Sequence, residues 1–425
     1  MRRFSSVLIF VVICQCSMFN PQCSMLNAAP TKPVKYKTLL SEAKAAIKSG
    51  KNQANAEQNL LAIINREDIT KERRAEIYYM SEELERSLNE AENLKFYLGK
   101  SYDTVRFFST ILHMHEHLMA CDSVEQIPDE KGVVKYKYRS KGREILKQYR
   151  ANLLNGGKYM LKRSRYAEAY PYFDMYLKSA ESAFFEDYPS IRHDTLLYRT
   201  SLWATLSAYN NNSPSEALKY IDKAISGSEL SARVSLQEYK VRCLAALGDE
   251  DARVENLIVG TQLYPQHNYF FLHLMDVYTE RKQYDDGIAL CDTMISQVGD
   301  SAIYWYGKSR MYIAKQEYDS CIVASEKALE LDPMMDGAYY DKGMSYLNKA
   351  LIFSETVCND IRNPKCKADR AKLMELYRCA QKPMEKVREL CPYDSGRWAS
   401  PLYRIYLNLN MGKEFAEMEK ILNSQ

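Results

Sequence analysis

Residues 301–333, SAIYWYGKSRMYIAKQEYDSCIVASEKALELDP, constrain the fold more than any other stretch of this chain. They read as two short amphipathic helices joined by a turn and closed by Pro333. The same layout stands immediately upstream. Gln283-Tyr284-Asp285-Asp286 answers Glu317-Tyr318-Asp319-Ser320, and Tyr318 follows Tyr284 by 34 residues. A helix–turn–helix unit of this period cannot bury its apolar face alone, so it must stack on its neighbours. Composition agrees: only 16 glycines and 13 prolines in 425 residues favour helices over turn-rich β architecture.

Residues with defined packing duties recur along the chain. In 301–333 these are Trp305, Ser309, Tyr312, Cys321, Ala328 and Pro333. The repeat before it offers Phe271, Leu274, Tyr278, Gly287 and Met294, and earlier ones offer Gly157, Tyr166, Ala169, Phe173, Ala217, Ala224, Gly248 and Pro265. Small residues let paired helices cross closely, large ones fill the gaps beside them, and proline stops the second helix. The pattern resembles the tetratricopeptide repeat, which has an aromatic at position 4, a small pair near 7 and 8, an aromatic at 11, and proline at 32. Lys308 departs from it at position 7 and Ser325 at position 24. The resemblance covers roughly residues 149–392 and implies an all-α fold, a right-handed superhelical solenoid of antiparallel helix pairs. With its leader and 33 tyrosines the chain is similar to secreted repeat proteins of Bacteroidota.

Outside that region the rhythm persists with less identity. Residues 38–49 and 54–64 read as a helix pair, 71–98 as a longer helix stopped by Gly99, and 102–120 as another apolar helix. This defines a repeat-like region over 36–121. The polar stretch 122–141 is expected to be a loop and the internal boundary, with a brief strand at 133–138. The solenoid then runs over 142–425. After Pro333 a first helix is legible in Tyr339, Gly343 and Tyr346, but its partner is expected only at 380–392, so 352–376 reads as an insertion. Residues 398–409 and 414–422 make a closing pair.

The first 28 residues differ. Arg2-Arg3, the short apolar run 7–14 and a polar segment have the order of a secretory signal peptide, and the run is too short to span a bilayer. The expectation is an exported protein, periplasmic, associated with the cell envelope or secreted, without a transmembrane segment. Losing the leader leaves 56 basic against 55 acidic residues, which offers no basic field for nucleic acid. Eight of the 11 cysteines lie beyond the leader. Cys243, Cys291 and Cys321 fall on apolar stripes as small hydrophobes. Cys358, Cys366, Cys379 and Cys391 crowd together; spacing does not assign their partners, and Cys358 with Cys366 across a polar loop is the favoured bridge.

Sites for chemistry are few. His113 and His117 share a helix face one turn apart, as two metal ligands would, but His115-Glu116 does not continue into the zinc-protease pattern. Gly99-Lys100-Ser101 lacks the second glycine of a phosphate loop. Paired carboxylates such as Glu82-Glu83 and Asp285-Asp286 suit solvated surface. No catalytic residue, metal or cofactor is therefore expected, and the chain is read as no enzyme. A metal-dependent enzyme built on His113 and His117 is a third reading.

The family resemblance places positions 2, 5 and 9 of each first helix on the concave face. Carried over residue by residue, these are Tyr269, Leu272 and Asp276, then Ile303, Tyr306 and Arg310, then Tyr340 and Met344. Of these, Tyr269, Asp276, Tyr306, Arg310 and Tyr340 are the candidate partner-binding residues. The alternative is that these residues only pack against neighbouring helices. The lysine and asparagine clamp that some members use on C-terminal carboxylates is absent. The expected function is a scaffold or adaptor that binds a partner protein or peptide. The alternative is a glycan- or nutrient-binding component of an outer-membrane uptake system.

Overall fold

The structure, a computed structural model, describes residues 34–358, 362 and 364–424. The expected leader, 1–28, lies outside the described residues. Among those described there are 19 α-helices and no strand. The brief strand expected at 133–138 is not formed. Residues 133–137 are an exposed connection and Tyr138 is half-buried against the Tyr79 ring, and among the described residues Val133 and Val134 have no neighbouring strand to pair with.

The chain divides into two compact units, Met1–Gly142 and Arg143–Gln425. In the first, α1 (Tyr36–Ser49) and α2 (Gln53–Ala62) form a short hairpin, and α3 (Lys71–Tyr97) pairs with α4 (Thr104–Glu125) in a long one. Side chains start the long helices: Thr70 accepts from the Arg73 amide and Asp103 from the Arg106 amide. Leu39, Ala43, Leu60, Ile77 and Leu84 form the core where α1, α2 and α3 meet. The polar stretch 122–141 is shorter as a loop than its composition suggests. Its first four residues finish α4 and its last three begin α5 (Arg139–Leu161).

In the second unit α5 is followed by α6 (Tyr166–Glu181), a 3₁₀ turn (Ala183–Phe185) and α7 (Pro189–Arg192). The hairpins then succeed one another: α8 (Leu196–Asn210) with α9 (Pro214–Ser226), α10 (Leu230–Leu247) with α11 (Glu250–Leu263), and α12 (Asn268–Glu280) with α13 (Tyr284–Val298). After them come α14 (Ala302–Ala314) with α15 (Tyr318–Leu331), α16 (Asp336–Ser354) with α17 (Pro364–Leu390), and α18 (Ser395–Asn408) with α19 (Gly412–Asn423). From α8 onward each helix touches the next, and the first helices α12, α14, α16 and α18 also touch at one remove. This is the expected all-α stack of antiparallel helix pairs.

One backbone device recurs at the hairpin turns. Ser164, Asn212, Gly248, Lys282, Gln316 and Asn410 all take the left-handed conformation, and Gly248, Lys282 and Gln316 are spaced at the repeat period. In each case the next residue's amide reaches back to the last turn of the first helix, as Gln283 to the Tyr278 carbonyl (2.8 Å) and Glu317 to that of Tyr312 (2.9 Å). These bonds satisfy carbonyls that a helix end leaves unpaired.

The inserted segment does not form a separate loop domain. Residues 352–354 lengthen α16, and α17 begins at Pro364 rather than near 380, so insertion makes a longer hairpin. A Cys358–Cys366 disulfide bridges its tip, with Cα atoms 4.7 Å apart. Cys379 and Cys391 are free and half-buried.

The inward face of α14 differs by one residue from the expected one. Tyr304, Gly307 and Met311 point into the core, whereas Trp305 and Tyr312 are half-buried. The Tyr304 hydroxyl donates to the Pro265 carbonyl (2.8 Å), and a Cβ at Gly307 would lie 2.7 Å from the Phe271 ring. That close crossing fixes the rotation of α14. It also explains Lys308, which lies on the outer side, donates to Asp292 (2.6 Å) and sits over the rings of Trp305 and Tyr312 at 5.3 and 5.9 Å.

Candidate functional site

Stacking at one period turns equivalent positions into columns. Leu272, Tyr306 and Tyr340 stand one period apart on α12, α14 and α16, and so do Asp276 and Arg310 on α12 and α14. Leu272, Ile303, Tyr306, Arg310 and Tyr340 line one open cleft of about 660 Å³ with Met334, Met335, Asp336, Asp341 and Arg397. Part of each apolar wall residue also packs on a core: Leu272 and Ile303 on that of α12–α14, Tyr340 on that of α16–α19. Packing and lining are therefore both true of these side chains.

The wall is ordered by specific contacts. A Cβ at Gly337 would fall 2.5 Å from the Tyr306 ring and hydroxyl, so only glycine lets that tyrosine lie across the start of α16. Arg310 donates to Asp276 at 3.0 Å and sits 6.0 Å from the Tyr306 ring centroid. Arg397, from α18, donates to Asp336 at 2.6 Å and lies 5.1 Å over Tyr340. Beneath them Asp341 is buried and accepts from the Ser309 hydroxyl at 2.7 Å. Burial pushes the Asp341 carboxyl up to about 7, against the pull of Ser309, Arg310 and Arg397. Burial likewise raises the Tyr306 phenol. The cleft thus has an aromatic and aliphatic floor with two arginine–aspartate pairs at its edges.

Tyr269 stands elsewhere. It packs edge-on to His273 at 4.4 Å, with Arg242 5.3 Å from its ring, and is not part of the Tyr306 cleft. Met344 packs on the C-terminal core and does not line the cleft either. Asp341 and Arg397 are absent from the sequence-level site. Asp341 occupies a position between the columns that normally faces a neighbouring helix. Arg397 was hidden because the insertion breaks the period before α18.

The histidines of α4 have carboxylate partners. His113 Nδ1 meets Glu85 Oε1 at 3.0 Å and His117 Nε2 meets Glu57 Oε1 at 2.6 Å, while the buried His115 bonds the Ile111 carbonyl. The bond to Glu85 raises the His113 imidazole. Among the described residues no three His, Cys, Asp or Glu side chains converge as metal ligands. Gly99 takes a left-handed conformation at the end of α3, so Gly99-Lys100 is a helix stop rather than the start of a phosphate loop.

These features define an all-α protein of stacked antiparallel helix pairs, a tetratricopeptide-like fold. No family model matches the chain. No curated protein matches it. Among solved structures, the C-terminal part of a TPR repeat-containing protein from Cytophaga hutchinsonii is similar at 14% identity. It covers 62% of this chain and 98% of that one, with a TM-score of 0.35. A TPR repeats protein from Bacteroides fragilis is 15% identical over 62% of this chain and 97% of its own, with a TM-score of 0.31. Yeast Tom70 is 14% identical over 93% and 86%, with a TM-score of 0.34. Likeness at this level adds no argument to the one carried by the chain's own hairpins and columns.

Proposed function

We propose that the chain is a non-catalytic scaffold whose first-helix face grips an extended peptide or a helix of a partner protein. The observation that carries this reading is the aligned column Leu272, Tyr306 and Tyr340 opening into one cleft, edged by the Arg310–Asp276 and Arg397–Asp336 pairs. Rigid aromatic surface with nearby arginines is what protein-binding hot spots use. An open trough suits an extended chain better than a small molecule, which prefers an enclosed pocket. A glycan-binding site would need aromatic platforms beside the insertion. The described residues lining the cleft there are Cys358, Cys366, Lys367, Arg370, Ala371, Met374 and Arg378, none of them aromatic.

The test is a pull-down from cell envelopes with wild type and a Tyr306→Ala/Arg310→Ala variant. Wild type should retain a partner that the variant loses by at least about tenfold, the loss expected for one truncated hot-spot residue. Equal recovery by both proteins would remove the cleft from the interface.

A further inference from the structure

The floor of the cleft holds a carboxylate that the fold uses only in part. Asp341 is 6% exposed. Its Oδ2 accepts from the Ser309 hydroxyl at 2.7 Å. Among the described residues nothing donates to its Oδ1, and the side chain lines the cleft. A buried carboxylate that served packing alone would have both oxygens bonded, because an unmet acceptor out of water costs stability. An unmet acceptor at the floor of an open cleft is a place for a donor that arrives from outside.

The surroundings select the kind of donor. Asp276, Asp332, Asp336 and Asp341 stand against two cations, Arg310 and Arg397. Asp276 holds Arg310 at 3.0 Å, and Asp336 holds Arg397 at 2.6 Å with Asp394 at 3.9 Å. Each guanidinium is thus neutralised by its own aspartate, and the balance of the cleft is acidic. Tyr306 from α14 and Tyr340 from α16 both feel the Asp341 charge, and the Cys321 thiol of α15 meets the Asp341 carbonyl at 3.8 Å. One free oxygen suits a single point-charge donor better than a forked guanidinium, which binds through two. An ammonium on a flexible four-carbon stem meets that demand, with the stem along Leu272, Ile303 and Met335 and the charge near the tyrosine faces.

We propose that Asp341 is the anchor point for a lysine side chain of the bound segment, which enters beside Tyr306 and Tyr340 and places its ammonium on Oδ1. The inference rests on the reading of the cleft as a peptide groove and adds which residue of the peptide the groove selects. Binding needs the ionised carboxylate. In the empty cleft burial holds the Asp341 carboxyl at about 7, so below that pH the site must release a proton before it takes the ammonium.

The test probes an array of histidine-free, mixed-sequence peptides about twelve residues long with the full chain, each peptide made with its lysines free and acetylated. At pH 8 the peptides retained should contain lysine, and acetylation should weaken their retention by about tenfold or more, the loss expected for one charge-assisted hydrogen bond. Asp341→Asn keeps an acceptor for Ser309; it should lose the preference for free lysine to the same extent, with thermal unfolding confirming that it is folded. Wild-type retention of the lysine peptides should fall about tenfold from pH 8 to pH 6, as the ionised fraction of a group at about 7 does, and that of Asp341→Asn should stay flat. Retention indifferent to acetylation would overturn the proposal. So would a preference for acidic peptides, or a lysine preference that survives in Asp341→Asn. In those cases loss of retention by Tyr306→Ala/Arg310→Ala would still leave the cleft as a peptide groove. If wild type retains no peptide, the reading of the cleft fails and this inference with it.

Discussion

At the residue scale the most informative side chain is Asp341. A polar residue on the inner side of a repeat helix would pass for an error of pattern, yet it bonds Ser309 under the cleft floor. Its carboxyl is raised to about 7 by burial, so the folded protein holds a proton that the unfolded chain has already released. The sign follows: stability falls as pH rises from about 4 to 7 and is flat above. Asp341→Asn cannot ionise and keeps an acceptor for Ser309. It should match wild type near pH 4 and exceed it at pH 8 by on the order of 2–4 kcal/mol. Thermal unfolding of both proteins at the two pH values checks this, and parallel pH profiles would contradict it. The α14 register teaches the same lesson. Tyr304 and Trp305 are equally good core aromatics in sequence, and only the Gly307–Phe271 crossing decides which turns inward.

At the element scale the unit is the hairpin with a left-handed turn residue. The sequence supplies glycine at that place in α10–α11 but Lys282 and Gln316 in the next two hairpins. A side chain there crowds the following carbonyl, which glycine does not. Gly248→Ala should therefore lower stability by about 1 kcal/mol, and Gln316→Gly should raise it by a few tenths to about 1 kcal/mol. Denaturant midpoints of the two variants give the comparison, and the same sign in both would refute it. The shared turn was invisible in the sequence because five residue types (Ser, Asn, Gly, Lys and Gln) fill one backbone role. The longer α16–α17 hairpin was half legible: its excess length shows in the spacing of prolines, but not that helix would take up most of it.

At the scale of the whole molecule, the second unit is stabilised by each hairpin from α8 onward covering its neighbour, with α18 and α19 closing the last apolar face through Trp398, Leu402, Ile405 and Met418. Among the described residues no helix is long and apolar enough to cross a membrane. Export stays a proposal that rests on Arg2-Arg3 and the apolar run 7–14, supported by the Cys358–Cys366 disulfide, a bond that oxidising compartments preserve. Protein recovered from its own cell should begin after Cys16 or Ala28 on N-terminal sequencing. A mature chain that still starts at Met1 would rule the leader out.

The sequence by itself determined the class of fold, the repeat period and the column of Leu272, Tyr306 and Tyr340, because a helical repeat is a local pattern and equal spacing dictates equal placement. Tertiary structure alone decided that Trp305 stays half-buried beside Lys308, that Asp341 lies buried on Ser309, that Arg397 closes the cleft, and that His113 and His117 meet Glu85 and Glu57. Each of those depends on how helices cross or on partners distant in the chain. Periodicity limits which faces can meet; the fit of side chains across the crossing selects among them.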